Sequence, residues 1–154
     1  LLFVAEVWKR SHGQGGRGTL RVFLGARTRS ELLCLKDFRK TGAELFTTTE
    51  DGSAGEKGLI TRLLKMKIQR RAAGLCLLAC GPPPMLRAVQ RWAVAKKISC
   101  QLSLETRMAC GLGVCLGCVT ARKRGAEISY VNVCQEGPVF DAREVVWDDL
   151  RERS

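Results

Sequence analysis

Four cysteines near the C-terminus constrain this chain more than any other feature. Cys110, Cys115, Cys118 and Cys134 are spaced C-x4-C-x2-C-x15-C within CGLGVCLGCVTARKRGAEISYVNVC. Gaps of four and then two residues force the backbone to fold tightly around whatever the first three thiols grip together. Gly111, Gly113 and Gly117 suit such a loop, because glycine enters positive φ without steric cost and lets backbone approach closely. Their N–H groups can also donate to electron-rich sulfur. The fold must therefore bring a glycine-rich loop and a more distant cysteine to one place.

The spacing is the one by which a [2Fe–2S] cluster is held in plant-type ferredoxins. Zinc competes for the same residues, since it also takes four thiolates. Zinc ribbons usually pair two short C-x2-C knuckles, however, and here one knuckle adjoins a wider C-x4-C turn. Among the remaining cysteines, Cys34 and Cys76 sit in ELLCLK and GLCLLAC and are expected to behave as small buried hydrophobes, as is Cys100. Cys80 differs, because Gly81 and Pro82 follow it. Eight cysteines in 154 residues would suit a disulfide scaffold only in a shorter, loop-rich secreted chain. Thiols kept reduced to hold iron point to the cytoplasm.

With 45% hydrophobic residues the chain can bury one core and support a small appendage. No apolar run approaches the roughly 20 residues of a membrane span, and no signal peptide is visible. The chain begins LLFVAEVWKR, without methionine and inside an amphipathic pattern, as a fragment lacking its N-terminal part would. A net charge of +11 raises nucleic acid as a partner. The basic residues are scattered, with clusters only at Lys65–Arg71 and Arg122–Arg124, and aromatics are 6% and not interleaved with them. A solvated basic face, open to an acidic partner subunit, fits better than nucleic acid.

Along the chain, elements alternate. A helix over 1–10 is followed by the flexible run SHGQGGRG (11–18) and a strand at 19–25. Ser30 is positioned to cap a helix over 31–40, with Leu32, Leu35 and Phe38 on one side. A second strand at 43–49 leads through a turn-rich loop to a helix over about 57–71 with Leu59, Leu63, Leu64 and Met66 or Ile68 inward. A short apolar strand at 75–80 reads as covered on both faces. Pro82, Pro83 and Pro84 open the next helix, which runs to about Lys96, and a strand at 99–105 enters the cysteine loop. Arg122–Arg124 fall on a hairpin turn. Strands joined by single helices imply a parallel, doubly wound sheet. Ligands then sit at the strand carboxyl ends, here the loops 25–30, 49–53 and 80–85. The run GQGGRG precedes a strand instead of following one, so it reads as a plain loop.

CGPPPM (80–85), LETRMACGLGVCLGCV (104–119) and VCQEGPVFDAREVVWD (133–148) together resemble the electron-transfer subunit of NAD-dependent (type B) dihydroorotate dehydrogenase. GARTRSEL and TEDGSAGEKG look like that subunit's loops, and the likeness runs collinearly over the whole chain. It implies an α/β fold: a truncated, parallel, ferredoxin-reductase-like nucleotide-binding domain over 1–104, lacking its first strand and glycine loop, then a small β-rich [2Fe–2S] domain over 105–154. It implies an electron relay between NAD, FAD and the cluster, with electrons passing to the FMN-containing dihydroorotate dehydrogenase subunit of pyrimidine biosynthesis. FAD would be bound mainly by the part this chain lacks.

By the same resemblance Cys110, Cys115, Cys118 and Cys134 ligate the cluster. Cys80, Gly81 and Pro82 match a turn beside nicotinamide and flavin, with Cys80 as the residue at the hydride-transfer site. Asp51, Gly52 and Arg27 are candidates to line the nucleotide path, though each also suits a plain turn. Two other readings stay open. One is an NADPH–ferredoxin or sulfide oxidoreductase flavoprotein subunit, which shares the architecture, and the other a zinc-stabilised interaction module without redox activity.

Overall fold

The computed structural model describes residues 1–12, 18–68 and 74–147. The centre of the expected loop 11–18 and the basic residues Arg70 and Arg71 lie outside the described residues. The chain divides into two compact units, Leu1–Arg70 and Arg71–Ser154.

The first unit contains α1 (Leu2–His12), β1 (Arg21–Ala26), a 3₁₀ turn (Arg29–Glu31), α2 (Leu35–Lys40), β2 (Glu44–Thr49), β3 (Glu56–Lys57) and α3 (Ile60–Lys67). The three strands form a parallel sheet in the order β1–β2–β3. Side chains alternate across a strand. Val22, Leu24 and Leu45 therefore share one face, where they pack with Ala5 of α1 and Phe38 of α2. Phe23 and Phe46 stack on the other face with ring centroids 4.8 Å apart, and Lys67 of α3 lies 5.3 Å above the Phe46 ring. Helices on both faces make the doubly wound layer that the alternation implies. Gly25 lets α3 start hard against the sheet, because a Cβ there would lie 2.7 Å from the Cβ of Ile60.

Three local expectations fail here. Ser30 caps no helix: its hydroxyl pairs with Thr28, while the backbone N–H of Arg29 donates to Ser53 Oγ at 2.8 Å. The segment forms a 3₁₀ turn, and α2 begins only after Cys34, which takes φ 58°. The loop after β2 contains the short strand β3. On α3, Leu63 and Leu64 are buried, but Leu59, which precedes the helix, and Met66 are exposed.

The second unit contains β4 (Cys76–Cys80), α4 (Pro83–Ala95), β5 (Ser99–Ser103), β6 (Val119–Arg124), β7 (Glu127–Asn132), α5 (Val133–Glu136), β8 (Val139–Asp141) and β9 (Val145–Val146). β4 and β5 are parallel and β8 adds antiparallel to β5. β6 and β7 form an antiparallel hairpin, with β9 on the far side of β6. Helix α4 packs against β4 and β5, and Leu86, Val89, Ala93, Cys100 and Leu102 are buried. Only one face of β4 is covered, contrary to expectation: Leu78 is 43% exposed and Cys76 is exposed beside it. Cys76 and the exposed Cys34 are therefore not core thiols, whereas Cys100 is. Gln90 of α4 ties down the C-terminal segment. Its Nε2 donates to the carbonyls of Ala142 and Val145 at 2.6 and 2.7 Å, and its Oε1 accepts from the Trp147 indole.

Candidate iron–sulfur site

The cysteine loop is the long connection between β5 and β6, and 104–118 carries no regular structure. Its shape comes from backbone turns. Gly111 and Gly113 adopt φ +67° and +84°, conformations in which a side chain would be strained. Gly117 does not; Leu116 takes the positive φ of 55° instead. What glycine provides at 117 is proximity: its N–H donates to Cys115 Sγ at 3.4 Å, and a Cβ would lie at that same distance from the sulfur. Leu112 N–H donates to Cys110 Sγ at 3.3 Å. The fourth cysteine arrives on α5, directly after β7. There Val133 N–H donates to the Cys118 carbonyl at 3.0 Å, and Cys134 N–H to Cys118 Sγ at 3.4 Å.

The thiols stand as two pairs. The Leu112 N–H and the neighbouring Cys115 thiol hold Cys110 down at about 6. In the other pair, the Cys134 backbone and thiol lower Cys118, and Cys134 is raised by its bond to Cys118. Cys134 is raised further, to a lesser degree, by the charge of Cys110. Among the described residues no three His, Cys, Asp or Glu side chains are arranged to hold a metal ion. Cys110 and Cys115, with Cys118 and Cys134, are the residues that would hold a [2Fe–2S] cluster, which takes four thiolates. Backbone N–H groups aimed at sulfur stabilise the anionic form that ligation requires.

Two side chains join the halves, and neither was singled out in the sequence. Asn132 Nδ2 donates to the Gly113 carbonyl at 2.9 Å, while its buried Oδ1 has no partner among the described residues. Gln135 packs over Gly113, where a Cβ would lie 2.7 Å from Gln135 Cγ. The basic cluster at 122–124 lies on β6 itself, not on the turn, and its members differ. Arg122 is 11% exposed and ion-paired to Glu136 at 2.6 Å. It is not the free surface cation that its sequence context implies. Arg124 reaches Glu144 at 3.7 Å, and Lys123 is exposed. Around the loop, Met108, Leu112, Val114 and Leu116 present exposed apolar side chains.

The nucleotide candidates fall in both units. In the first, Asp51 accepts from Ser53 N–H and Oγ at 2.9 and 2.6 Å, which holds its carboxyl below the usual range. Asp51 N–H donates to the Arg27 carbonyl at 3.1 Å, Arg27 N–H to Glu31 at 3.0 Å, and Gly52 takes φ +82°. The loops after β1 and β2 are thus bonded into one ledge at the strand carboxyl ends. In the second unit Cys80 ends β4, with its thiol 3.8 Å from Glu105 Oε1. Gly81 and Pro82 then lead into α4. Glu105 was missed, though it lies just past β5, at the same sheet end as Cys80.

Residues 105–146 match the family described as the iron–sulfur cluster binding domain of dihydroorotate dehydrogenase B. The electron transfer subunit of dihydroorotate dehydrogenase B (NAD(+)) from Caldanaerobacter subterraneus subsp. tengcongensis is 38% identical over 127 residues, 82% of this chain and 50% of that protein. The corresponding subunit from a Geobacillus species is 41% identical over 123 residues, 80% of this chain and 45% of that one. Over about four-fifths of its length this chain is similar to that subunit. It spans about half the length of the relatives it matches. A solved NADH-dependent reduced ferredoxin–NADP oxidoreductase, studied for flavin-based electron bifurcation, superimposes with a TM-score of 0.73 at 28% identity, over 96% of this chain and 51% of that one. The likeness to the electron-transfer subunit and the ferredoxin-reductase-like architecture are therefore both as the sequence motifs implied. No described helix is long and apolar enough to cross a membrane.

Proposed function

We propose that this chain is the cluster-bearing half of an electron-transfer subunit that relays electrons between NAD, FAD and the FMN-containing subunit of a dihydroorotate dehydrogenase. The observation that carries the reading is that all four thiols lie in the segment matching the iron–sulfur family, with backbone N–H groups bonded to the sulfurs of Cys110, Cys115 and Cys118. A [2Fe–2S] cluster held there supplies one-electron transfer, which complements the two-electron chemistry of nicotinamide through a flavin. Residues 105–154 form the cluster domain in this reading, and 1–104 the nucleotide domain. Arg27, Asp51 and Gly52 serve the nucleotide path, and Cys80, Gly81 and Pro82 its reacting end. FAD is bound chiefly by the part of the relatives that this chain does not span. The exposed apolar residues at 108–116, with Lys123, border the partner subunit, and the protein works in the cytoplasm.

The solved oxidoreductase keeps a ferredoxin–NADP role in view, but the dihydroorotate dehydrogenase relatives are more similar in sequence. Anaerobic reconstitution with iron and sulfide tests the core of the proposal. The expected product is a coloured protein with two irons and two sulfides per chain. Stoichiometric colourless zinc, with iron refused, would overturn it. Complex formation with the FMN subunit separates the two redox roles, since the ferredoxin–NADP reading expects none.

A further inference from the structure

The helix that delivers the fourth thiol is a single turn, Val133–Glu136. So short a helix has no stability of its own, because nucleation costs more than one turn of hydrogen bonds returns. Contacts from the rest of the fold must hold it. Its first residues are well anchored: Val133 is fully buried, Val133 N–H bonds the Cys118 carbonyl, and Cys134 N–H bonds Cys118 Sγ. Its last residue, Glu136, is 45% exposed and meets the Arg122 guanidinium at 2.6 Å. Arg122 sits on β6, the strand that begins immediately after Cys118. One ion pair therefore spans the two chain segments that carry the second thiol pair.

The two partners are unequally buried, and that makes the contact obligatory for one of them. Glu136 remains solvated without its partner, whereas Arg122 is 11% exposed and its Nε has no partner among the described residues. Leaving a largely buried guanidinium unpaired is costly, so Arg122 is committed to Glu136 and holds the turn in one place. We propose that Arg122 is a positioning residue for the cluster, acting through Glu136 to hold Cys134 opposite Cys118. This rests on the reading of the four thiols as cluster ligands.

The test compares Arg122→Gln and Arg122→Lys with Arg124→Gln, whose pair to Glu144 lies on the same strand without reaching α5. In chains reconstituted with iron and sulfide, Arg122→Gln should lose iron to a chelator about tenfold faster, as outer-shell changes at metal sites do. It should also show altered g-values after one-electron reduction. Arg122→Lys, which keeps the charge but not the planar fork, should fall between, and Arg124→Gln should match wild type. In the metal-free chain, Arg122→Gln should speed amide hydrogen exchange at Val133 and Cys134. Lower thermal stability with unchanged iron release, g-values and amide exchange would reduce Arg122 to an ordinary fold contact and overturn the proposal. If wild-type protein took up no iron, the cluster reading would fall by itself. Exchange at Val133 and Cys134 would still decide whether Arg122 holds the turn.

Discussion

The two halves of the thiol site are built by different means. Cys110 and Cys115 lie on a stretch without regular structure, and backbone N–H groups two residues away hold their sulfurs in place. Cys118 and Cys134 sit where a hairpin, a single helical turn and an ion pair converge, and Cys118 is 3% exposed. The first half depends on local turn geometry and the second on tertiary structure. Damage to the first should therefore cost the cluster alone, and damage to the second should cost cluster and fold together.

Serine replacements give the largest effect. Either Cys115→Ser or Cys118→Ser should abolish a stable cluster, since alkoxide is a poor substitute for soft thiolate. The metal-free proteins should differ. Cys118→Ser places a hydroxyl in a buried site and should cost about 1–2 kcal/mol, a Tm loss of several degrees for a domain this size. Exposed Cys115 should tolerate serine within about 0.5 kcal/mol. Equal melting temperatures by calorimetry would erase the distinction between the halves.

Two glycines sharpen the same contrast inside the loop. Alanine at Gly111 meets no atom of the described residues within 4 Å and bears only the strain of φ +67°; alanine at Gly113 bears φ +84° and also strikes Gln135 Cγ. Each conformational penalty is about 1–2 kcal/mol. The Gly113→Ala penalty should be larger, because the clash pushes the loop off the Asn132 bond that joins it to the hairpin. Iron retention against a chelator should rank wild type, Gly111→Ala, Gly113→Ala. A reversed order would mean that the Asn132–Gly113 contact does not join the halves.

What was legible in the sequence follows the same local-versus-distant division. The apolar strand runs of β1 and β2 and the proline-led start of α4 are short-range signals, and the structure realises them. Ser30 caps no helix because its hydroxyl pairs with neighbouring Thr28, while the Arg29 N–H is taken by Ser53 from the next loop, a partner that no local pattern announces. Cys34 and Cys76 have leucine neighbours that made them look interior, but burial depends on what covers the face, and nothing in ELLCLK or GLCLLAC encodes that. Asn132 and Gly113 are 19 residues apart and Gln90 and Val145 are 55 apart, so no local pattern could join them. Arg122 looked like one of three equivalent charges because its partner lies on a helical turn that the sequence does not announce.

Thiol chemistry extends the comparison beyond the site. Burial pushes the Cys100 thiol up to about 11 from 9.0, which leaves about a hundredfold less thiolate at neutral pH. Cys34 and Cys76 are exposed. Alkylation of the cluster-loaded protein, followed peptide by peptide, should modify Cys34 and Cys76 quickly and Cys100 only on unfolding. Rapid labelling of Cys100 would show that the sheet beneath α4 opens readily.

The smallest effect concerns acid stability. Asp141, on the strand that closes onto β5, accepts from Arg143 at Nε, at the terminal nitrogen and at the backbone N–H. Those bonds, the guanidinium foremost, lower its carboxyl below 3.8. A carboxyl depressed on folding adds stability above its unfolded pKa, and that increment disappears as pH falls through the lower folded value. The loss should therefore appear below about pH 4, and Asp141→Asn should flatten that part of the curve. Arg143 is 77% exposed, so solvent screening keeps the contribution under about 1 kcal/mol, and added salt should shrink it further. Urea midpoints at pH 3 and pH 6, with and without salt, provide the measurement. An acid limb unaltered by the substitution would place the pH dependence elsewhere, and Asp141 would then serve only to shape the turn into β9.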